Sequence, residues 1–194
     1  MRYISSILIF FSLLFSKELE IGSKIPLKDH KMIDISGELL TLSSIRGQNG
    51  TLVIFSCNTC PWVIRWEDRY RTITNKYSSK GIGIVAVNSN EARFDSDDSI
   101  EEMALHAKDK GYQFPYVQDL GSKLAYAFGA TKTPHIYLFD HNDILVYRGA
   151  IDDNARDAKN VEKTYLADAI DAILLKKPIP VSTSKALGCS IKFR

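Results

Sequence analysis

Six residues from Thr51 to Ser56, TLVIFS, make a short apolar run without polar alternation, the pattern of a strand covered on both faces. From Pro61 to Lys80 the residues Trp62, Trp66, Tyr70, Ile73 and Tyr77 recur at steps of three or four, with charges elsewhere. That spacing predicts an amphipathic helix, which Gly81 ends. Pro61 lacks an N–H and is tolerated only in a first turn, so the helix starts within a residue or two of it. GIGIVAVN, Gly81 to Asn88, reads as a second buried strand, and Ser99 with Glu102 has capping-box spacing for a helix that Gly111 closes. FPYV reads as a short strand and KLAYAF as a short helix ended by Gly129. TPHIYLFD and ILVYRG follow as two strands joined through HND in a hairpin. A last helix is predicted over about 161–175, with Val161, Tyr165, Ala169 and Ile173 on one stripe. Upstream, IGSKIPL is a lead-in and KMIDISGELLTL a hairpin turning at Ser36-Gly37.

Strand and helix alternate and then give way to a hairpin and a final helix. This order predicts an α/β fold: a central mixed sheet with helices on both faces and an N-terminal β-hairpin extension. The tail KPIPVSTSKALGCSIKFR holds two prolines and shows no periodicity. The domain is therefore read as 17–177 and the tail, 178–194, as a draped C-terminal extension. Residues 1–16 carry one early cation, Arg2, and an apolar run from Ile4 to Phe15. The run is too short for a membrane span, which needs roughly 20 residues. It fits the core of a secretion signal cut near Ser16, in preference to a buried terminal element, and predicts an exported protein, periplasmic or otherwise extracytoplasmic.

A net charge of +2, with Lys and Arg interleaved among acids as in RWEDRYR, argues against nucleic acid as a partner and reads as a solvated mixed surface. No glycine-rich dinucleotide turn is present, so no organic cofactor is implied. Three cysteines are few, and odd in number, for an exported chain stapled by disulfides. One close pair, Cys57 and Cys60, plus a lone Cys189 points to chemistry.

The pair falls where a buried strand ends and a helix begins, the edge at which open α/β sheets place their sites. Unpaired N–H groups and the positive end of the helix dipole favour a thiolate there. Cys57, nearer the strand end, is expected to be the exposed attacker that forms a mixed disulfide with a partner. Cys60, one turn on, then attacks Cys57 and releases that partner. Two reduced core cysteines, or a structural zinc site short of two ligands, are the rival readings. Asn88 and Asn90, after the next strand, are candidates to bond the thiolate or a substrate backbone, against ordinary loop capping. Asp152 and Asp153 read as turn caps. Cys189 is either a third redox thiol that pairs with Cys57 if the tail crosses the active face, or a small buried residue.

Thr133-Pro134, ahead of HIYLFD, stands where thioredoxin-like proteins carry a cis-proline facing their thiol pair, and the backbone there is expected to bind an extended partner segment. With both elements placed, the chain resembles the thioredoxin-like superfamily, in the redoxin branch shared with peroxiredoxins and exported thiol-disulfide reductases. More narrowly it resembles a peroxiredoxin-like group marked by CNxCPxV (Cys57 to Val63), VNSN (Val87 to Asn90), VYRGxIDDN (Val146 to Asn154) and GCSIK (Gly188 to Lys192). The resemblance implies a thioredoxin fold, Cys57 as nucleophile and Cys60 as its resolving partner. Disulfide-containing proteins would be the substrates, and a membrane-bound thiol reductant a partner if the protein is a reductase. Peroxiredoxins carry P-x-x-x-T-x-x-C; with Cys60 as that cysteine, Val53 and Cys57 stand at the proline and threonine positions, so a thiol peroxidase is the alternative. The acid found six residues before the nucleophile in many thioredoxins is Thr51 here. Exported copper-delivery proteins of this fold bind metal through C-x-x-x-C and a distant histidine; His135 is the candidate for a copper or zinc reading, with the cysteine spacing one residue short.

Overall fold

In the computed structural model, which describes residues 17–194, the run read as a doubly covered strand is the centre of the sheet. The predicted secretion signal, 1–16, lies outside the described residues. The elements in chain order are β1 (Met32–Asp34), β2 (Leu39–Leu40), α1 (Leu42–Ile45), β3 (Gly50–Phe55), α2 (Pro61–Tyr77), β4 (Ile82–Asn88), α3 (Ile100–Lys110), β5 (Tyr116–Gln118), α4 (Lys123–Phe128), β6 (Lys132–Thr133), β7 (His135–Asp140), β8 (Leu145–Gly149), α5 (Tyr165–Leu174) and β9 (Cys189–Ser190). Seven strands form one sheet in the order β2-β1-β5-β4-β3-β7-β8. β3 runs parallel to β4 and β4 parallel to β5, while β7 is antiparallel to β3 and β8 to β7. The sheet is mixed, with helices on both faces, in a thioredoxin-like fold.

Side chains alternate along β3, and both faces are covered. Leu52 and Ile54 join the core under α2, α3 and α5; Val53 and Phe55 join the core under α1 and α4. Burial of one such side chain stabilises by about 1.5–3 kcal/mol, so a strand buried on both sides needs an apolar residue at every position. The N-terminal hairpin turns at Ser36 and Gly37: the Ser36 amide donates to Asp34 Oδ2 (2.9 Å), and Gly37 takes φ +85°, which suits a residue without Cβ. Gly81 ends the α2 segment in a left-handed conformation, as predicted.

Several expectations shift. Trp62 is only half-buried, and Val63, Trp66, Tyr70, Ile73 and Tyr77 carry the α2 contact. RWEDRYR is not simply a solvated face. Glu67 is buried and bonded to His106 Nε2 and the Tyr112 hydroxyl, while Arg69 pairs with the buried Asp152 (3.2 Å). α5 starts at Tyr165, not Val161, and buries Leu166, Ala169, Ile170 and Ala172. α1, capped reciprocally by Thr41 and Ser44, begins at Leu42, the last residue of the predicted hairpin. The tail contributes β9, which pairs antiparallel with β6.

Candidate active site

Parallel pairing aligns Phe55 with Val87 and Asn88 with Gln118, so β3, β4 and β5 end together beneath the Cys57 loop. The next residues must leave the sheet and enter α2. Pro61 takes the first helical position, which leaves Cys60 as the N-cap residue. Both thiols are buried, each about 3% exposed as a residue. They border a pocket of about 120 Å³ together with Cys189, Asn90, Arg93 and Lys192.

Thr133 joins the two sulfurs. Its hydroxyl is 3.2 Å from Cys57 Sγ, and its carbonyl accepts from Cys60 Sγ at 3.0 Å. The Thr133-Pro134 peptide is cis, in the position that the resemblance implies.

The electrostatics reverse the expected division of labour. Cys57 is not an exposed attacker: donation of its S–H to Cys60, burial, and the nearby Asp98 carboxylate push its thiol well above the ordinary range. Cys60 is held down to about 5. The Cys57 thiol is the main cause, with the Cys189 side chain and the amides of Val63 and Cys189 adding to it against burial. The Thr133 carbonyl opposes this charge, but it is one acceptor against four donors. Cys189 is pushed up to about 11 by burial and by its bond to Cys60. Of the three thiols, Cys60 is the one whose ionisation these donors favour.

This assignment fixes a pH dependence. On titration of the reduced protein, the ultraviolet thiolate band and the rate of alkylation at Cys60 should fall as pH drops through about 5, rather than through the ordinary 9.0. Between those values the unfolded chain holds a proton that the folded chain has released. Folding stability of the reduced protein should therefore rise with pH over that window relative to Cys60→Ser. A band that titrates only near 9 would contradict the charge placement.

Beneath the Cys57 loop sits a constellation that the sequence did not disclose. The Asp98 carboxylate is fully buried and accepts from the Asn58 amide (2.9 Å), Asn88 Nδ2 (2.8 Å) and Asn90 Nδ2 (2.9 Å). The Tyr116 hydroxyl donates to Asn58 Oδ1 at 2.9 Å. Asn88 is therefore not a substrate-binding residue: it is fully buried, and its amide is committed to Asp98 and Tyr116. Asn90 Oδ1 reaches outward and accepts the Lys192 amide at 2.8 Å, which ties the VNSN stretch to the GCSIK tail. Only the pairing of a buried acid with three asparagine donors could have signalled this, and the partners lie up to 40 positions apart.

Thr133 and Pro134 also depart from expectation. Thr133 is buried, and its strand edge already pairs with the chain's own Cys189, so an incoming segment cannot use that edge while the tail is in place. Cys189 is half-buried against the thiol cluster and meets Cys60, not Cys57. His135 does not converge with the thiols. β7 alternates, so Ile136 and Leu138 share the cysteine face, while His135 lies tilted against Tyr137 on the other face of the sheet (4.6 Å between ring centroids). Burial, then the Lys132 charge, lowers His135 to about 4. Thr51 is fully buried with its hydroxyl unpartnered, so the strand offers no carboxylate at that position. Asp152 Oδ1 caps its turn through the Asn154 amide (2.9 Å) and also accepts from Trp66 Nε1 (2.8 Å), fastening α2 to the loop after β8.

The fold places this chain beside solved structures. It is similar to a hypothetical protein from Sinorhizobium meliloti 1021, with 31% identity, a TM-score of 0.83, and coverage of 92% of this chain and 97% of that one. It is equally similar to an uncharacterized conserved protein from Geobacillus kaustophilus, at 33% identity, a TM-score of 0.83, and coverage of 90% and 93%. The thioredoxin domain of a thiol-disulfide oxidoreductase from Bacteroides vulgatus shares the fold at 21% identity and a TM-score of 0.58, over 69% of this chain and 90% of that one. No curated protein matches the chain. The Redoxin profile matches residues 20–165, most of the chain, and on that match, with its thioredoxin-like sheet and thiols at the head of α2, the chain belongs to the Redoxin family.

Proposed function

We propose that the protein is a thiol-disulfide oxidoreductase that exchanges disulfides with partner proteins through Cys57 and Cys60. The observation that carries the reading is a buried pair of thiols at the head of α2, both held by Thr133, with Cys60 shifted toward the thiolate and Cys57 away from it. The Cys60 thiolate attacks one sulfur of the partner's disulfide, and the other partner sulfur leaves as a thiolate that takes up a proton. Cys57 then gives up its proton and attacks Cys60, which frees the second partner sulfur. Two protein thiols become one disulfide, and one partner disulfide becomes two thiols. The roles are the reverse of those the resemblance implies.

The finer grouping by CNxCPxV and GCSIK rests on the four motifs, and the Asn90–Lys192 bond gives two of them a common purpose. Export to an extracytoplasmic space and supply of electrons by a membrane-bound thiol reductant belong to the same proposal; they rest on the apolar run of residues 4–15.

The test is insulin disulfide reduction with dithiothreitol as the electron source. The wild type should precipitate insulin at least about tenfold faster than dithiothreitol alone, since at pH 7 the reductant is only a few per cent thiolate whereas a group with pKa 5 is almost fully ionised. Rates equal to background would overturn the reading. A second reading, thiol peroxidase, is favoured by the charge resting on Cys60, the peroxiredoxin position, beside Arg93. Hydrogen peroxide consumption with no insulin reduction would select it.

A further inference from the structure

The C-terminal strand occupies the position that a partner strand would need. β9 pairs with β6 in the register Thr133 to Cys189 and Lys132 to Ser190, directly before the cis-proline. The approach is close enough to require glycine: a Cβ on Gly188 would lie 2.3 Å from the Thr133 carbonyl oxygen. Around it the tail is fastened along its length. The Ile191 amide donates to the Thr131 carbonyl (3.0 Å), the Lys192 amide to Asn90 Oδ1 (2.8 Å), the Ala92 amide to the Lys192 carbonyl (3.0 Å), and Phe193 stacks on Tyr126 (4.7 Å). The result is that Cys189 is delivered to the pocket shared by Cys57 and Cys60, within hydrogen-bonding reach of Cys60. Cys60 interacts with each of the other two thiols, and all three border one pocket.

We propose that Cys189 is a third redox thiol that attacks Cys60 in the Cys57–Cys60 disulfide, and that the resulting Cys60–Cys189 disulfide pins the tail across the Thr133 edge. This inference rests on the exchange chemistry above, which produces the Cys57–Cys60 disulfide. In the step, the Cys189 thiol loses its proton and its sulfur bonds to Cys60 Sγ; the Cys57–Cys60 bond breaks, and Cys57 leaves as a thiolate that takes the proton. One disulfide is exchanged for another, so no further oxidant is consumed. The Thr133 hydroxyl, 3.2 Å from Cys57 Sγ, is placed to donate to the departing sulfur. The exchanged form is closed: the tail blocks strand addition until the Cys60–Cys189 bond is reduced.

The full chain, as wild type, Cys57→Ser and Cys60→Ser, is incubated with excess oxidised glutathione, quenched in acid and digested without reduction for mass spectrometry. The proposal expects both linkages in the wild type and a Cys60–Cys189 disulfide in most molecules of Cys57→Ser. In Cys60→Ser, Cys57 and Cys189 should carry separate glutathione adducts. Glutathione adducts on both cysteines of Cys57→Ser, with no internal link, together with a wild type that shows only Cys57–Cys60, would overturn it. Gly188→Val, made in the Cys57→Ser background, should slow formation of the Cys60–Cys189 link at least about tenfold because the strand no longer docks and proximity is lost. An unchanged rate would mean that β9 pairing does not deliver the thiol, and the proposal would fall. Insulin reduction run in parallel separates the claims. Intact insulin reduction without the tail disulfide defeats only this inference; a tail disulfide without insulin reduction defeats only the exchange reading.

Discussion

Cys60→Ser should reduce insulin no faster than the reductant alone, and the double variant Cys57→Ser, Cys189→Ser should instead stall as a covalent complex joined through Cys60. The two sulfurs differ in how readily each ionises. Cys60 has the Cys57 thiol, the Cys189 side chain and two amides directed at it; Cys57 has Asp98 beside it and a buried environment around it. With a pKa of about 5, Cys60 is almost wholly thiolate at pH 7, whereas an ordinary thiol near 9.0 is about 1% ionised, a difference of about 100-fold in nucleophile concentration. Removing that sulfur removes the nucleophile itself, and Cys57, with its proton held firmly, cannot replace it. The double variant keeps the nucleophile but removes both sulfurs that can resolve it, Cys57 and Cys189, so a mixed disulfide should accumulate and be visible on a non-reducing gel. The Cys60 pKa should also rise in that variant, because its principal stabilising donor is replaced by a shorter hydroxyl. If the covalent complex appears in Cys60→Ser instead, the charge belongs to Cys57 and the roles are those implied by the resemblance.

The contrast between the attacker expected from the sequence, Cys57, and the one proposed from the structure, Cys60, shows what a sequence discloses about such a site. The apolar run of β3 and the three-and-four spacing of α2 gave both elements, because burial on two faces and on one stripe leave periodic marks. Pro61 located the helix start, and so placed both cysteines at its head. It did not settle which sulfur meets the first-turn amides, since that depends on how the loop from Ser56 to Cys60 folds over Thr133, a residue more than 70 positions away. The tail was illegible for a related reason. β9 is two residues long and is held by backbone pairing, a glycine contact and one asparagine carbonyl, none of which needs an apolar period. The resemblance supplied the motif GCSIK but not its position; the register Thr133 to Cys189 supplies that. RWEDRYR was misread because a charged residue on a helix is usually solvated, and here Glu67 has a histidine and a tyrosine to receive it.

Asp98→Ala should be the most destabilising single change at the site, by about 3–5 kcal/mol, as read from the midpoint of urea unfolding. The carboxylate is fully buried and, among the described residues, no cation pairs with it; its charge is held by three donors, the Asn58 amide and the side-chain amides of Asn88 and Asn90. Alanine leaves all three donors unsatisfied in a closed space, and each such group costs about 1–3 kcal/mol, with partial relief where water enters. Because Asn58 follows Cys57 directly and Asn90 holds the Lys192 amide, the loop and the tail should loosen together. Asp98→Asn divides the effect into two parts. It keeps the volume and one acceptor oxygen but turns the other toward an asparagine amide as a donor, so it should lose less stability than alanine. It also removes the negative charge that raises the Cys57 thiol, so the Cys57 pKa should move down, and alkylation of Cys57 in a Cys60→Ser background should start at lower pH. A variant that unfolds at the wild-type midpoint would show that the three donors find water at no cost. An unmoved alkylation profile would show that the Asp98 charge does not reach the sulfur, and that burial alone keeps the proton on Cys57 in that background.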